Sequence, residues 1–296
     1  MKCSLCNSSA LTVIYDGPIR SGDVESPFVE GYNVVECDSC HVGILLPFPQ
    51  NLHDYYESEE FRLAYFKTVD EMELAKKTDW DLNDRIRKIG VENVRGKIVA
   101  DFGSGMGFFL DLVKGIASQT FAIEPMLASR EILEKKGHRH CQYPNQVGKE
   151  SVDLAVCFDV VEHVEDPLSF LRNISMSLKK DGALYIATPN KNDILLKVHP
   201  KACQPYLFRT AHLHYFSTDS LCYALKKSGF AIAEKGGYHR YDFFNFVNWL
   251  KNEEPGGRKS LDYVDSFFEA TYKNELIRMD MSSYLFIKAV KKDISV

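Results

Sequence analysis

Between about residues 96 and 190, short apolar runs alternate with stretches in which apolar residues recur every three or four positions. The first pattern suits strands buried on both faces, and the second suits helices that bury one side. "KIVADFG", "QTFAIEP", "VDLAVCFD" and "ALYIATP" are predicted strands, with a weaker one near "HRHCQ". "FFLDLVKGI", "ASREILEKKG" and "DPLSFLRNISMSLKKDG" are predicted helices, the last closed by its lysines and glycine. This alternation predicts an α/β fold, a parallel sheet with helices on both sides.

The flanks read differently. "LTVIYDG" and "YNVVECD" are β-branched and aromatic runs bounded by glycine or aspartate, which predicts short strands. "PFPQ", Pro47 to Gln50, then breaks the chain, so residues 1–50 are expected to form a small lobe. Residues 51–95 are a predicted helical linker or cap. Met72, Ala75, Leu82, Ile86 and Ile89 fall near a 3.6 period there, with Gly90 as the stop. Residues 96–296 form the main domain. Its later part holds a helix between Ser217 and Gly229, a strand "AIAEKGGYH", a helical insertion at about 241–279 and a last strand within 282–291.

Composition narrows the classes. Of 296 residues, 45% are apolar, enough for a substantial core. The net charge is only -5, which gives no support to a nucleic-acid surface. No apolar run is long enough to span a bilayer, and no apolar stretch follows Lys2 as a secretion signal requires. A cytoplasmic location is therefore expected, with cysteines serving as metal ligands or buried thiols rather than disulfides. Cys141, Cys157, Cys203 and Cys222 are isolated and read as small core residues. Cys3, Cys6, Cys37 and Cys40 instead give C-x2-C-x30-C-x2-C, two knuckles that complete a four-thiolate site for structural Zn2+. Four sulfur ligands leave no open position for catalysis, so the metal would fold the lobe. His41 is a bystander. Only Lys2 and Arg20 are basic in the first 46 residues, so a ribbon that guides the chain to RNA or protein ranks below a small-molecule enzyme.

"VADFGSGMGFFL" carries the most specific signal. Gly103, Gly105 and Gly107 alternate after Asp101, between a predicted strand and a predicted helix. A dinucleotide fingerprint would need its third glycine at Phe108, which weakens the rival reading of an NAD-dependent dehydrogenase. The turn, with "AIEPM", "FDVVEHVEDPLSFL" and "LKKDGALYIATPN" in order, resembles the motif series of class I S-adenosylmethionine-dependent methyltransferases. The resemblance covers about residues 96–190 and implies a Rossmann-like methyltransferase sheet with S-adenosylmethionine as cofactor. Its carboxylate would meet the backbone of Gly103, Gly105 and Gly107 at the helix start. Asp101 would face its ammonium and Glu124 its ribose diol. Met126, Phe158 and the segment Cys141 to Tyr143 are candidates for the adenine slot, and Asp159 joins the cofactor-binding set.

A zinc-binding lobe, this domain and then "AHLHYFS" are together similar to sugar methyltransferases of antibiotic and surface-polysaccharide pathways. The C-methylating members carry their base in a Tyr-x-Glu-His segment; here Thr210-Ala211-His212 lacks the glutamate. The resemblance thus implies O- or N-methylation of a sugar, nucleotide-sugar or related metabolite. A hydroxyl acceptor needs a base with a pKa of about 7, which suits histidine. His212 and His214 follow the fifth strand, where parallel sheets place ligands, and an extended loop would set both on one face. His212 is the expected base and His214 orients the acceptor; His163 is a weaker candidate, at a helix entry. Tyr241, Phe243, Phe244, Phe246 and Trp249 shape either the acceptor pocket or a face between two copies.

Overall fold

The apolar runs of the main domain assemble side by side into one sheet, and the lobe's strands into another. The computed structural model describes residues 2–292 apart from 61, 64–66, 69, 258 and 260, and leaves the side chains of 53 and 77–80 undescribed. Within the predicted helical segment 51–95, residues 61, 64–66 and 69 thus lie outside the described residues.

In the lobe, β1 (Leu11–Tyr15), β4 (Asn33–Cys37) and β5 (Gly43–Leu46) form an antiparallel sheet. β2 (Ile19–Arg20) and β3 (Phe28–Val29) form a separate ribbon. The far edge of β5 is filled from much later in the chain: His214 stands opposite Ile44 and Tyr215 opposite Gly43. Ile19, Val34 and Leu45 bury themselves against Phe208 and Tyr215, which joins the lobe to the main domain through apolar contact as well.

Among the described residues, α1 (Leu52–Glu57) and α2 (Glu71–Ile89) precede the main sheet, followed by the single turn α3 (Val91–Val94). Asp70 caps α2 by accepting from the Glu73 N–H, and Gly90 ends it at φ 82°. Leu82 and Ile89 face inward as the period requires. Met72 does not: its side chain is exposed, and Leu74 instead reaches the core beside Met106 and Met126.

The remaining order is β6 (Ile98–Phe102), α4 (Phe108–Val113), β7 (Gln119–Ile123), α5 (Ser129–Lys135), β8 (Arg139–Cys141), β9 (Val152–Phe158), α6 (Pro167–Ser177) and β10 (Leu178–Pro189). There follow α7 (Ile194–Val198), α8 (Pro200–Leu207), β11 (His214–Tyr215), α9 (Thr218–Lys227), β12 (Phe230–Tyr238), α10 (Phe243–Asn252), α11 (Ser266–Arg278) and β13 (Tyr284–Lys291). The sheet runs β8-β7-β6-β9-β10-β13-β12. Leu82, Ile89, Leu110 and Leu133 of α2, α4 and α5 pack on one face, and Leu171, Ile174, Leu221 and Leu225 of α6 and α9 on the other. This is the Rossmann-like arrangement expected from the sequence.

Two expectations need correction. The sheet is not wholly parallel: β13 runs antiparallel to both β10 and β12. The chain leaves β12 into α10 and α11 and returns at the same end of the sheet, so it must run back down. The lysines and glycine of "LKKDG" do not close a helix either. Helix α6 stops at Ser177, and Leu178 already pairs with Val152 in the sheet.

Candidate active site at the strand ends

The glycine turn leaves β6 and enters α4 at Gly107, whose N–H donates to the Ser104 carbonyl at 2.8 Å. All three glycines have positive φ: 87° at Gly103, 56° at Gly105 and 79° at Gly107. A Cβ on Gly103 would stand 2.1 Å from the Val160 Cγ2, and one on Gly107 would stand 2.8 Å from the Leu133 Cδ2. Gly105 is different: among the described residues its Cβ would meet only the Arg62 Nη2 at 3.9 Å, so that side of the turn is open with respect to them.

Glu124 lies just past β7 and holds this turn. Its Oε2 accepts from the Gly105 N–H at 2.8 Å and its Oε1 from the Met126 N–H at 3.1 Å. Burial raises its carboxyl, while the charge of Arg62 and the two N–H groups pull it back. A carboxylate oxygen has two lone-pair sites, so one on each remains for a diol. Asp101, at the end of β6, is buried and its carboxyl is pushed up to about 7 by burial, with Arg85 pulling down and Glu124 adding to the rise. These groups can hold S-adenosylmethionine: the glycines let a ligand approach the backbone closely beside Gly105, and the two buried acids can face an ammonium and a diol.

The helical segment covers this region. Arg62 is buried, donating to the Ser129 Oγ at 3.0 Å, and Leu74 packs on Met106 and Met126. Glu57 of α1 accepts from the Gln142 Nε2 at 3.0 Å and from the Tyr143 hydroxyl. Met126 and Cys141 to Tyr143 thus lie beneath the cap. Phe158 is not brought to them. Its ring packs on Phe109 and Phe286, and the Arg85 guanidinium sits 4.7 Å from its centre.

Asp159, directly after β9, has φ 57°, a conformation non-glycine residues hold only where their surroundings fix it. Its carboxylate pairs with Arg85 and lies 4.0 Å from Arg240. Burial alone would raise this carboxyl, but the two arginine charges hold it below the ordinary value. Asp81 pairs with Arg240 and lies 3.8 Å from Arg85; Arg240 also stacks 4.0 Å over Tyr284. Asp159 is thereby the half-buried end of an ion network whose Asp81 and Arg85 are buried. Sequence reading missed Arg85 and Arg240. The i,i+4 spacing of Asp81 and Arg85 was the available signal, whereas nothing local marks Arg240.

The histidines separate. His212 lies in a turn, its N–H donating to the Arg209 carbonyl at 3.1 Å, and its ring meets that of His163 edge-on at 4.8 Å. Burial, then the charges of Arg209, His163 and Arg20, push His212 well below the usual imidazole range, so it is neutral at pH 7. His214 is fully buried in β11 and bonds the Ser4 Oγ at 2.7 Å, inside the first cysteine knuckle. The face-sharing expectation fails because the loop turns at residues 209–212 instead of extending. His163 sits 2.7 Å from the Ala211 carbonyl and 2.9 Å from the Tyr56 hydroxyl through Nδ1. Beside it, Glu162 accepts from the Thr188 hydroxyl at 2.9 Å and is raised to about 8 by burial and by Asp159.

The four lobe cysteines converge. Cys3 and Cys40 sulfurs are 3.5 Å apart, Cys6 and Cys37 sulfurs 3.4 Å, and all four lie within 4.8 Å of one another. The two knuckles are alike: Asn7 N–H donates to Cys3 at 3.0 Å and His41 N–H to Cys37 at 2.8 Å, each donor at positive φ. A tetrahedral ion with Zn–S of about 2.3 Å sets sulfurs about 3.8 Å apart, which this group meets with small adjustment. His41 points to Glu36 instead, at 3.2 Å.

A family described as a methyltransferase domain matches residues 74–235. The chain is similar to the ubiquinone biosynthesis O-methyltransferase of Actinobacillus pleuropneumoniae serotype 5b, 26% identical over 230 residues, covering 62% of this chain and 92% of that protein. The protein of the same description from Haemophilus ducreyi is 26% identical over 233 residues, covering 62% and 94%. Among solved structures, a SAM dependent methyltransferase from Archaeoglobus fulgidus aligns with a TM-score of 0.51 at 17% identity, covering 75% of this chain and 100% of that one.

Proposed function

Because the chain belongs to the methyltransferase-domain family, we propose that it methylates an oxygen of a polar small molecule such as a sugar or nucleotide-sugar, with S-adenosylmethionine as donor. The observation that carries the acceptor class is the hollow past the end of β10. Asn190, Lys191, Asp193, Arg209, His212 and Ser283 line it together with Pro189, Leu196, Leu207, Phe208 and Tyr215, so polar groups that can meet hydroxyls stand beside apolar faces that can meet a ring. The relatives' description as O-methyltransferases supports oxygen as the methylated atom.

When bound, S-adenosylmethionine supplies an electrophilic methyl group on a sulfonium leaving group. The chain supplies the rest. Asp101 and Glu124 hold the charged and diol ends, while the Gly103–Gly107 turn lets the cofactor approach the backbone closely. Helices α1 and α2 cover the cofactor region through Glu57 and Leu74. In this reading His212, beside Glu162 and His163, takes the acceptor's proton, as a weaker base than a free imidazole because burial lowers it. His214 fastens the lobe rather than touching the acceptor. The lobe cysteines Cys3, Cys6, Cys37 and Cys40 hold Zn2+, which fixes β1, β4 and β5 against the main domain. No described helix is long and apolar enough to cross a membrane.

Transfer of labelled methyl from S-adenosylmethionine to a panel of nucleotide-sugars, free sugars and catechols tests the reading. Calorimetry with S-adenosylmethionine and with NAD runs beside it. Labelled sugar product is expected. Binding of NAD without affinity for S-adenosylmethionine would overturn the reading.

A further inference from the structure

We propose that Glu162, His163 and His212 bind a divalent first-row metal ion at the acceptor end of the sheet. The three offer ligand atoms that all lie within 4.8 Å of one another. Glu162 is 1% exposed and His212 4%, so this is no surface cluster. Thr188 donates to the Oε2 of Glu162; among the described residues the buried Oε1 has no hydrogen-bond partner. An unmatched carboxylate oxygen in the interior is costly, and a cation bonded to it removes the cost.

The backbone holds the set in place. Leu213 N–H donates to the Glu162 carbonyl at 2.8 Å, tying the His212 turn to the segment after β9. His163 reaches the Ala211 carbonyl with Nδ1 at 2.7 Å, a contact in which Nδ1 is the donor, so its lone pair is on Nε2. A backbone carbonyl on the far ring nitrogen is the usual support of a ligating histidine. Two imidazoles and one carboxylate suit Mn2+, Fe2+, Co2+, Ni2+ or Zn2+ and leave positions open for an oxygen ligand. The cysteine site differs, since four sulfurs close it. The charges nearby divide: Asp159 favours a cation, and Arg209 and Arg20 oppose it.

The role of the ion rests on the methyltransferase reading; its binding does not. A hydroxyl beside the cation loses its proton to water more readily. Its oxygen pair then forms the new O–CH3 bond as the S–CH3 pair leaves with the thioether. His212 then serves as a ligand, and the cation does the work of the base.

The test uses the full chain carrying one equivalent of zinc, enough for the four-cysteine site only, then titrated with Mn2+ and followed by the paramagnetic signal of free Mn2+. One Mn2+ per chain is expected, with affinity at least about ten-fold weaker in Glu162→Gln and His212→Ala. Calorimetric S-adenosylmethionine affinity, unchanged in both variants, shows that they are folded. No Mn2+ uptake, or equal uptake by parent and both variants, overturns the proposal. Mn2+ uptake without any S-adenosylmethionine affinity sinks the methyltransferase reading and leaves the metal site standing.

Discussion

Asp101 makes cofactor binding depend on pH in a way that can be calculated. Its carboxyl stands at about 7 in the unliganded chain, chiefly through burial. Its ordinary value is 3.8. The sign follows from proton counting: between these values the folded chain keeps a proton that the unfolded chain has lost. Stability from this group is therefore complete below the ordinary value and fades as pH rises toward 7, by on the order of 4 kcal/mol in total. An ammonium placed beside Asp101 favours the carboxylate, so binding expels the proton. At about pH 5.5 nearly every unliganded chain must release it, and at about pH 7 only half do. Affinity for S-adenosylmethionine should thus rise roughly fifteen-fold between those two values, below the range where the cofactor's own amine titrates. Calorimetry in two buffers of different ionisation heat gives both affinity and protons released, near one per site at the lower pH. Asp101→Asn should bind more weakly at about pH 7 and show a flat profile. A flat profile in the parent, with no proton released, refutes the reasoning.

Other outcomes follow from the same structure. Purified protein should carry about one zinc per chain, and Cys37→Ser should lose it and melt earlier; metal-free parent protein with full activity would contradict the site. Gly103→Ala should lower thermal stability more than Gly105→Ala, because its Cβ strikes Val160 at 2.1 Å, whereas Gly105→Ala should weaken cofactor binding by filling the space beside the turn; calorimetry showing parent affinity in Gly105→Ala would count against the site as described. His212→Ala should lower kcat by ~10²–10⁴ with cofactor affinity kept. His214→Ala should instead lower thermal stability by about 2–4 kcal/mol, with turnover per folded molecule near the parent's; equal kcat losses would return His214 to the chemistry.

The fold was largely legible because its strands are near-continuous apolar runs and its turns are marked by glycine. "VDLAVCFD" and "QTFAIEP" could only be buried strands, and β9 and β7 lie there. "LKKDG" misled because its composition matches a helix end, while its pairing with Val152 is a tertiary fact. Residues 191–210 gave no clear period, and helices α7 and α8 there are short, with Pro205 inside the second. At the site, Glu124 and the glycines announce themselves by spacing. Glu162 does not: its unmatched oxygen and its closeness to His212 exist only once the segment after β9 meets the turn before β11. The Asp159–Arg240 contact likewise joins the segment after β9 to the end of β12, far apart in the chain.

The pairing of β11 with β5 also sets an order of events during synthesis. The lobe's first three main strands are complete by Leu46, yet the partner of β5 lies at His214 and Tyr215. A ribosome adding about 5–20 residues per second needs on the order of ten to thirty seconds to reach it. Throughout that interval the newborn lobe presents the open edge of β5, the kind of edge to which stray chains attach. Rapid capture of a metal by the two knuckles would hold the lobe in shape while it waits, so zinc supply during translation should influence how much of the protein reaches its final form.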